Sequence, residues 1–196
     1  MCMDDAIATP PFGRRERKKA RTRQTLADEA LRLFLERGFD QVTVADVADA
    51  ADVAVSTLFA HYPTKESLLF SKDATIGAGF VEAVTGRDPG TPILEALRAY
   101  VHRAPDLASG SQEFVELVRA TPALTRYVDR MWTRHADELG QAIAAATGGA
   151  PTDVPTRAFA RYVVEIPSIV RSDPHRQRAI DAVFDLLAGG WREPSR

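Results

Sequence analysis

Side chains that commonly carry catalysis or bind metal ions are scattered through this 196-residue sequence. No two of the four histidines, His61, His102, His135 and His175, stand four residues apart, the spacing of a helical zinc site. The one cysteine, Cys2, cannot form a disulfide within the chain or a cysteine-based metal centre. No G-x-S-x-G motif, phosphate-binding loop or G-x-G-x-x-G after a strand occurs. We therefore predict no catalytic residues, no metal site and no cofactor.

A dense basic segment lies near the N-terminus, although the formal charge of the whole chain is only −2. Such a segment, taken alone, is usually a solvated arm. When a helix-turn-helix follows such a segment, as residues 43–66 predict for this chain, the segment more often contacts DNA phosphate or the minor groove. Seven cationic residues stand here against a single acid, Glu16: Arg14, Arg15, Arg17, Lys18, Lys19, Arg21 and Arg23. From this segment we expect DNA contacts by Arg14, Arg15, Lys18, Lys19 and Arg21.

The segment from Thr43 to Glu66 reads as two short helices joined by a tight turn. Thr43 and Asp46 have the spacing of a capping box at the start of the first helix. Small residues from Ala50 to Ala54 let the two helices approach closely. Leu58 and Tyr62 face one way on the second helix, which Pro63 ends, while small polar residues face another way. This arrangement predicts a helix-turn-helix whose second helix enters the DNA major groove.

These residues resemble a known family. The Glu36-Arg37-Gly38-Phe39 helix end, the Thr43 cap and the Pro63-Thr64-Lys65-Glu66 segment are similar to the DNA-binding domain of the TetR family of bacterial transcriptional regulators, over roughly residues 17–72. The chain departs from the family pattern at Asp52, Ala54, Ser56 and Phe59. The resemblance implies that Thr57, Phe59, His61 and Lys65 hold the DNA backbone. The full expected contact set on and around the two helices is Thr43, Val55, Ser56, Thr57, Phe59, Ala60, His61, Tyr62 and Lys65.

The fold class that we predict is all-α, with about nine helices. Residues 1–13 form a tail, 14–72 a helix-turn-helix domain of three helices, and 73–196 a larger helical effector-binding and dimerisation domain. A helix capped by Thr64 is expected to run to about Thr85, and Gly77 and Gly79 within it indicate either close packing or a soft point. Further helices are expected at about 92–103, 111–120, 122–147, 154–171 and 174–190.

The last two helices carry apolar stripes that could form an internal core or a dimer interface. In the TetR family the corresponding helices pair with their copies in a second subunit, and a two-fold dimer reads a palindrome. The resemblance thus implies a homodimer on a double-stranded DNA operator. The expected interface residues are Phe159, Val163, Ile166, Val170, Ile180, Val183, Phe184, Leu187 and Trp191.

The central helices, by the same resemblance, enclose a pocket for an unknown small-molecule effector whose binding shifts the fourth helix. Aromatic bodies with polar tips suit such a pocket, and Trp132 and His135 lie three apart on one helical face. The expected lining residues are Tyr100, Phe114, Tyr127, Met131, Trp132 and His135.

The sequence therefore favours a dimeric, ligand-responsive, DNA-binding regulator, more specifically a repressor. The alternatives are a helical small-molecule-binding or adaptor protein with a decayed DNA-binding domain, and an all-helical enzyme. No apolar run is long enough to span a membrane, and the single cysteine favours a reducing compartment, so we expect a cytoplasmic protein without a membrane partner.

Overall fold

The computed structural model describes residues 13–103 and 111–190. Their regular secondary structure is all helical, with nine α-helices and no strand among the described residues. The chain divides into two compact units, with the division between Ser71 and Lys72. The predicted all-α fold and the approximate helix number are confirmed.

The first unit contains three α-helices and a short 3₁₀ helix: α1 (Arg14–Arg37), α2 (Val44–Ala50), α3 (Val55–His61) and the 3₁₀ helix Glu66–Phe70. Gly38 ends α1 with a φ of 85°, a backbone conformation that glycine adopts without a steric penalty. Phe39 then folds back, and its ring lies 5.0 Å from that of Phe34. The core of this unit consists of Leu26, Ala27, Ala30, Leu33, Phe34, Phe39, Val42, Val47, Ala48, Leu58, Tyr62 and Leu68.

The second unit contains six α-helices: α4 (Asp73–Thr85), α5 (Ile93–Arg103), α6 (Gln112–Ala120), α7 (Pro122–Thr147), α8 (Val154–Ile169) and α9 (Arg176–Gly189). Helix α7 packs against α4, α6 and α8, while α9 packs mainly on α5. Pro122 occupies the first turn of α7, where its missing N–H would have no partner anyway. The predicted helix bounds in this unit agree with the structure to within about two residues.

The continuous fourth helix predicted from Thr64 to Thr85 is wrong in its first part. The side chains of Thr64 and Ser67 exchange hydrogen bonds with each other's backbone amides at 3.2 Å, and the Ser67 hydroxyl also donates to the Thr64 carbonyl at 2.6 Å. This reciprocal pattern is that of a capping box, so the predicted cap at Thr64 is present, but the helix that follows is only the short 3₁₀ helix Glu66–Phe70. The α-helix begins only at Asp73.

The two glycines of α4 are explained by close packing. A Cβ atom on Gly77 would overlap the imidazole of His135 on α7, and one on Gly79 would overlap the phenol of Tyr100 on α5. Tyr100 also donates a hydrogen bond to the carbonyl of Ile76 at 3.0 Å. The absence of two side chains therefore lets α4 approach both neighbouring helices.

Candidate DNA-binding surface and helical effector unit

Helix α3 has one face inside the first unit and one face in solvent. Leu58 is fully buried, and Tyr62, which follows the last turn, is 1% exposed. Ser56, Phe59 and Ala60 are exposed, and Phe59 keeps 48% of its surface accessible. Val55, Thr57 and His61 are half-buried. An exposed face of hydroxyl, methyl and aromatic groups can contact base edges and thymine methyl groups in a major groove.

The turn between α2 and α3 explains one departure from the family pattern. Asp52 has a φ of 53°, the one positive φ outside glycine among the described residues. Glycine adopts this left-handed conformation most easily, and aspartate is among the few other residues that tolerate it. The amide of Val53 closes the turn by donating to the carbonyl of Ala48 at 3.0 Å. Asp52 therefore preserves the turn geometry, with its carboxylate exposed.

The predicted capping box at the start of α2 is present. The hydroxyl of Thr43 accepts from the amide of Asp46 at 3.1 Å, and the Asp46 carboxylate accepts from the Thr43 amide at 2.7 Å. These bonds from Thr43 lower the pKa of Asp46. By contrast, Ala54 provides no side-chain cap for α3, as its residue type predicts. Thr43 is exposed, but its hydroxyl is already bonded within the box.

The basic segment forms the first turns of α1. Arg14, Arg15, Lys18, Lys19 and Arg21 are all exposed. None of these five side chains makes an ion pair within the part of the chain that the structure describes. Their charges are therefore available to an external polyanion such as a phosphate backbone.

Two residues in the expected DNA contact set are used inside the protein instead. Tyr62 is buried, and its hydroxyl donates to the carbonyl of Arg23 at 3.0 Å, so it cannot reach DNA from this position. The amine of Lys65 donates to the carbonyl of Phe39 at 2.5 Å and lies 4.2 Å from the centre of the Phe39 ring. Burial lowers the pKa of Lys65. The placement of Leu58 and Tyr62 on one face already signalled the inward position of Tyr62, whereas nothing local signalled that of Lys65.

His61 lies at the boundary between the two faces of α3. Its Nδ1 atom is buried without a hydrogen-bond partner. Burial lowers the pKa of this imidazole, and the neighbouring cations Arg23 and Lys19 lower it further. Both effects favour the neutral form of this imidazole, which lies beside the exposed face of α3.

The predicted effector-binding residues are distributed over three helices of the second unit. Met131 and His135 are buried, and the other four are half-buried. The rings of Trp132 and His135 meet edge to face at 5.7 Å, which brings together the pair that the spacing indicated. Tyr100 contacts Phe80 edge-on at 4.9 Å. An open groove on the outer side of α7, between Asp129 and Gln141, is lined by none of these residues.

Helix α6 is less buried than its neighbours. No residue of α6 is fully buried, although Phe114, Val115, Leu117 and Val118 are half-buried on one face. Its tertiary packing is against α7. The predicted pocket residue Phe114 lies on this half-buried face of α6.

The expected dimer-interface residues lie mostly inside the chain. Val163, Ile166, Val170, Ile180 and Phe184 are at most 2% exposed, so they cannot line a surface. Phe159, Val183 and Leu187 are half-buried against the same core, and Trp191 lies outside the described residues. The exposed apolar side chains of these two helices are instead Val154, Tyr162, Ile169 and Leu186. The sequence contains apolar residues on both sides of α8, so periodicity alone did not distinguish its inner face from its outer face.

Within the described residues, no group of three or more histidine, cysteine, aspartate or glutamate side chains is arranged to hold a metal ion. Nor does any helix of that part combine the length and apolar character needed to cross a bilayer.

Comparison with known proteins agrees with this geometry. Residues 26–71 match the family model described as "Bacterial regulatory proteins, tetR family". The chain is 31% identical over 189 residues to the HTH-type transcriptional regulator TcmR of Streptomyces glaucescens, covering 90% of this chain and 81% of the relative. Salmonella enterica GusR has the same fold, with a TM-score of 0.54 at 21% identity over 94% of this chain and 98% of that one. Thermus thermophilus FadR, solved in complex with lauroyl-CoA, gives a TM-score of 0.50 at 21% identity over 89% of this chain and 97% of that one. A helix with an exposed outer face in a helix-turn-helix, together with a relative that is 31% identical over most of both chains, establishes that the chain is a DNA-binding transcriptional regulator of the TetR family.

Proposed function

We propose that this regulator is a cytoplasmic repressor that binds a palindromic operator as a homodimer and leaves it when a small molecule binds the helical unit. The observation that carries the proposal is the division of α3 into an anchored face, with Leu58 and Tyr62 buried, and a free face with Ser56, Phe59 and Ala60 exposed. A helix anchored in this way can enter the major groove without unfolding its own unit.

The free face of α3 suits direct readout by small groups. Ala60 and the half-buried Val55 offer methyl groups for thymine, while the hydroxyls of Ser56 and Thr57 can bond base edges or phosphate. The exposed cations from Arg14 to Arg21 add sequence-independent contacts to phosphate. Binding should therefore combine moderate base specificity with a steep dependence on salt concentration.

Dimerisation through α8 and α9 explains the exposed apolar residues of those helices. Tyr162 is 59% exposed and Ile169 is 57% exposed, and they stand seven residues apart, so they share one face of α8. Leu186 of α9 is 43% exposed. A second copy of the same face would cover these side chains in a two-fold arrangement, which in turn matches a palindromic operator.

An effector binding between α6 and α7 would cover the half-buried apolar face of α6. Phe114 on α6 and Tyr127, Met131 and Trp132 on α7 provide apolar surface, and His135 provides a polar atom. Binding there would favour a different arrangement of the second unit. If that arrangement does not hold two recognition helices at the half-site spacing, the ligand shifts the population away from DNA.

The test is selection of bound sequences from a random DNA pool with the full chain, repeated at several salt concentrations. We expect a palindromic site, occupied by two chains, whose affinity falls steeply with salt. Enrichment of no sequence above non-specific binding would reject the operator proposal. The selected site then serves to screen small molecules, with lauroyl-CoA as one probe, and the effector proposal requires a compound that weakens operator binding.

A further inference from the structure

One basic residue at the end of the N-terminal segment behaves differently from its neighbours. Arg21 and Lys19 are exposed, whereas Arg23 is half-buried. Its guanidinium donates to the carbonyl of His61 at 3.3 Å and to the carbonyl of Ser71 at 2.9 Å. The charge of Arg23 is therefore directed into the protein.

The two carbonyls that Arg23 joins both stand at the ends of helices. His61 is the last residue of α3, and Ser71 directly follows the 3₁₀ helix. Carbonyls at such positions lack partners within the helix, and the end of a helix favours a positive charge. A planar guanidinium can donate to two acceptors in fixed directions, which the single ammonium of lysine does not do equally well. Arg23 is thus matched to this pair of acceptors by its shape as well as by its charge.

Tyr62 completes the arrangement. The guanidinium carbon of Arg23 lies 4.7 Å from the centre of the Tyr62 ring, and the Tyr62 hydroxyl donates to the backbone carbonyl of Arg23 at 3.0 Å. Tyr62 follows α3 directly, and its ring is buried. The side chain and the backbone of Arg23 therefore both hold the same end of the recognition helix against α1.

We propose that Arg23 is a positioning residue for operator recognition: it fixes the C-terminal end of α3 to α1 and to the Ser71 segment, and it does not itself contact DNA. Ser71 is the last residue of the first unit, next to Lys72 at the start of the second. A displacement of Ser71 would therefore move one of the two carbonyls that accept from the guanidinium holding α3. The proposal rests on the proposed operator binding for its function and on the contacts within the first unit for its geometry.

The salt dependence of binding separates a positioning residue from a phosphate contact. We would compare Arg23→Lys and Arg23→Gln with Arg21→Gln, using the selected operator and an unrelated duplex. Both Arg23 variants should lose about tenfold or more in operator affinity, because two charge-assisted bonds are lost or weakened. Their non-specific affinity and the slope against salt should not change. Arg21→Gln should instead lower the magnitude of that slope by about one and weaken both duplexes equally.

Hydrogen exchange of the free protein provides a readout that does not depend on DNA. In both Arg23 variants, the amides of His61 and Tyr62 should exchange faster, while the amides around Phe34 in the middle of α1 stay protected. If Arg23 served only to stabilise the first unit as a whole, amide exchange in both Arg23 variants would be faster throughout that unit. The proposal is overturned if Arg23→Lys keeps wild-type operator affinity, if Arg23→Gln reduces the salt slope as Arg21→Gln does, or if exchange rises uniformly. A wild-type chain that selects no operator would reject the proposed function, and exchange would still decide whether Arg23 positions α3.

Discussion

The imidazole of His135 lies with its Nε2 atom 2.7 Å from Oδ1 of Asp73, which joins the middle of α7 to the first residue of α4. The His135 side chain is 1% exposed and that of Asp73 is 14% exposed. Arg134 also donates to both oxygens of Asp73, at 2.6 and 2.7 Å. Burial raises the pKa of Asp73, but the adjacent His135 imidazole and the hydrogen-bonded Arg134 guanidinium outweigh it, so the net pKa lies below the ordinary value. A carboxylate at the start of a helix is further favoured by the helix dipole.

Replacing the Asp73 carboxylate should make the free energy of unfolding depend less on pH in the acid range. A carboxyl whose pKa is lower in the folded state stabilises the fold above its unfolded pKa of about 3.9, and this stability is lost as the pH falls through the folded pKa. Asp73→Asn should therefore reduce the free energy of unfolding by about 1–2 kcal/mol at pH 7. The difference from wild type should shrink below about pH 4. Urea unfolding of both proteins at a series of pH values measures this difference in the free energy of unfolding.

The matched control is Asp137→Asn, which changes an exposed carboxylate on α7. It should leave the free energy of unfolding nearly unchanged at every pH, since a surface charge contributes little. A deficit of Asp73→Asn that stays constant from pH 7 to pH 3 would contradict the linkage argument.

The close approach of α4 to α7 predicts that Gly77→Ala is destabilising, although alanine is the better helix former by about 1 kcal/mol. The added methyl group would overlap the His135 ring, which is buried and lies against Asp73. We expect a loss of about 1–3 kcal/mol in the free energy of unfolding. Gly189→Ala, where a Cβ atom meets nothing within 4 Å, is the control and should cause no loss.

The double variant Gly77→Ala with His135→Ala identifies the origin of the effect. If the clash with the imidazole is the cause, removing the ring should restore part of the stability that Gly77→Ala loses, and the two changes will not be additive. Additive losses would show that the imidazole is not the cause of the loss, and a stabilised single Gly77→Ala variant would show that α4 and α7 adjust without cost. Urea midpoints of the four proteins give the comparison.

Features decided by local chemistry could be predicted from the sequence. The Thr43–Asp46 box, the glycine at the end of α1 and the proline at the start of α7 set helix ends through interactions within a few residues. The inward face of α3 followed from the spacing of Leu58 and Tyr62, so the exposed face was also predictable.

Features decided by distant partners could not be predicted in this way. Lys65 had the charge expected of a phosphate contact, yet the Phe39 carbonyl and ring, 26 residues away, take its amine. Arg23 was one cation among seven in the N-terminal basic segment, and only the folded positions of His61 and Ser71 distinguish it. On α8, Val163 is buried and its neighbour Tyr162 is exposed, so the identity of the packing partners decides which apolar face is free.

A charge on the exposed face of α8 should separate the two chains of the proposed dimer. Ile169→Glu places a carboxylate at a position that is 57% exposed in the single chain, so the monomer should keep its helical content. In a dimer that covers this face, the charge would be buried without a partner, which we expect to raise the dissociation constant by at least about 100-fold. Sedimentation across a range of concentrations measures the shift.

Gln141→Glu is the control for this charge change, because Gln141 is exposed on α7 within the open groove. It should leave the dimer intact. Dimerisation of Ile169→Glu at wild-type strength would place the interface on a different surface. Operator binding provides a second check, since a monomer that holds one half-site should bind far more weakly than the two-fold dimer.

The exposed aromatic ring of the recognition helix gives the last prediction. Phe59 is 48% exposed, so its removal should cost little stability, and Phe59→Ala should weaken operator binding by about tenfold through lost apolar contact with the groove. Phe59→Tyr adds a hydroxyl that can bond phosphate, so it should bind at least as tightly as wild type. Leu35→Ala is the control, since Leu35 is a similarly exposed apolar residue of α1, at 41%. Fluorescence anisotropy at one salt concentration measures the operator affinities. If wild type, Phe59→Ala and Leu35→Ala bind the operator equally, Phe59 is excluded from the contact surface and base readout is left to Ser56 and Ala60.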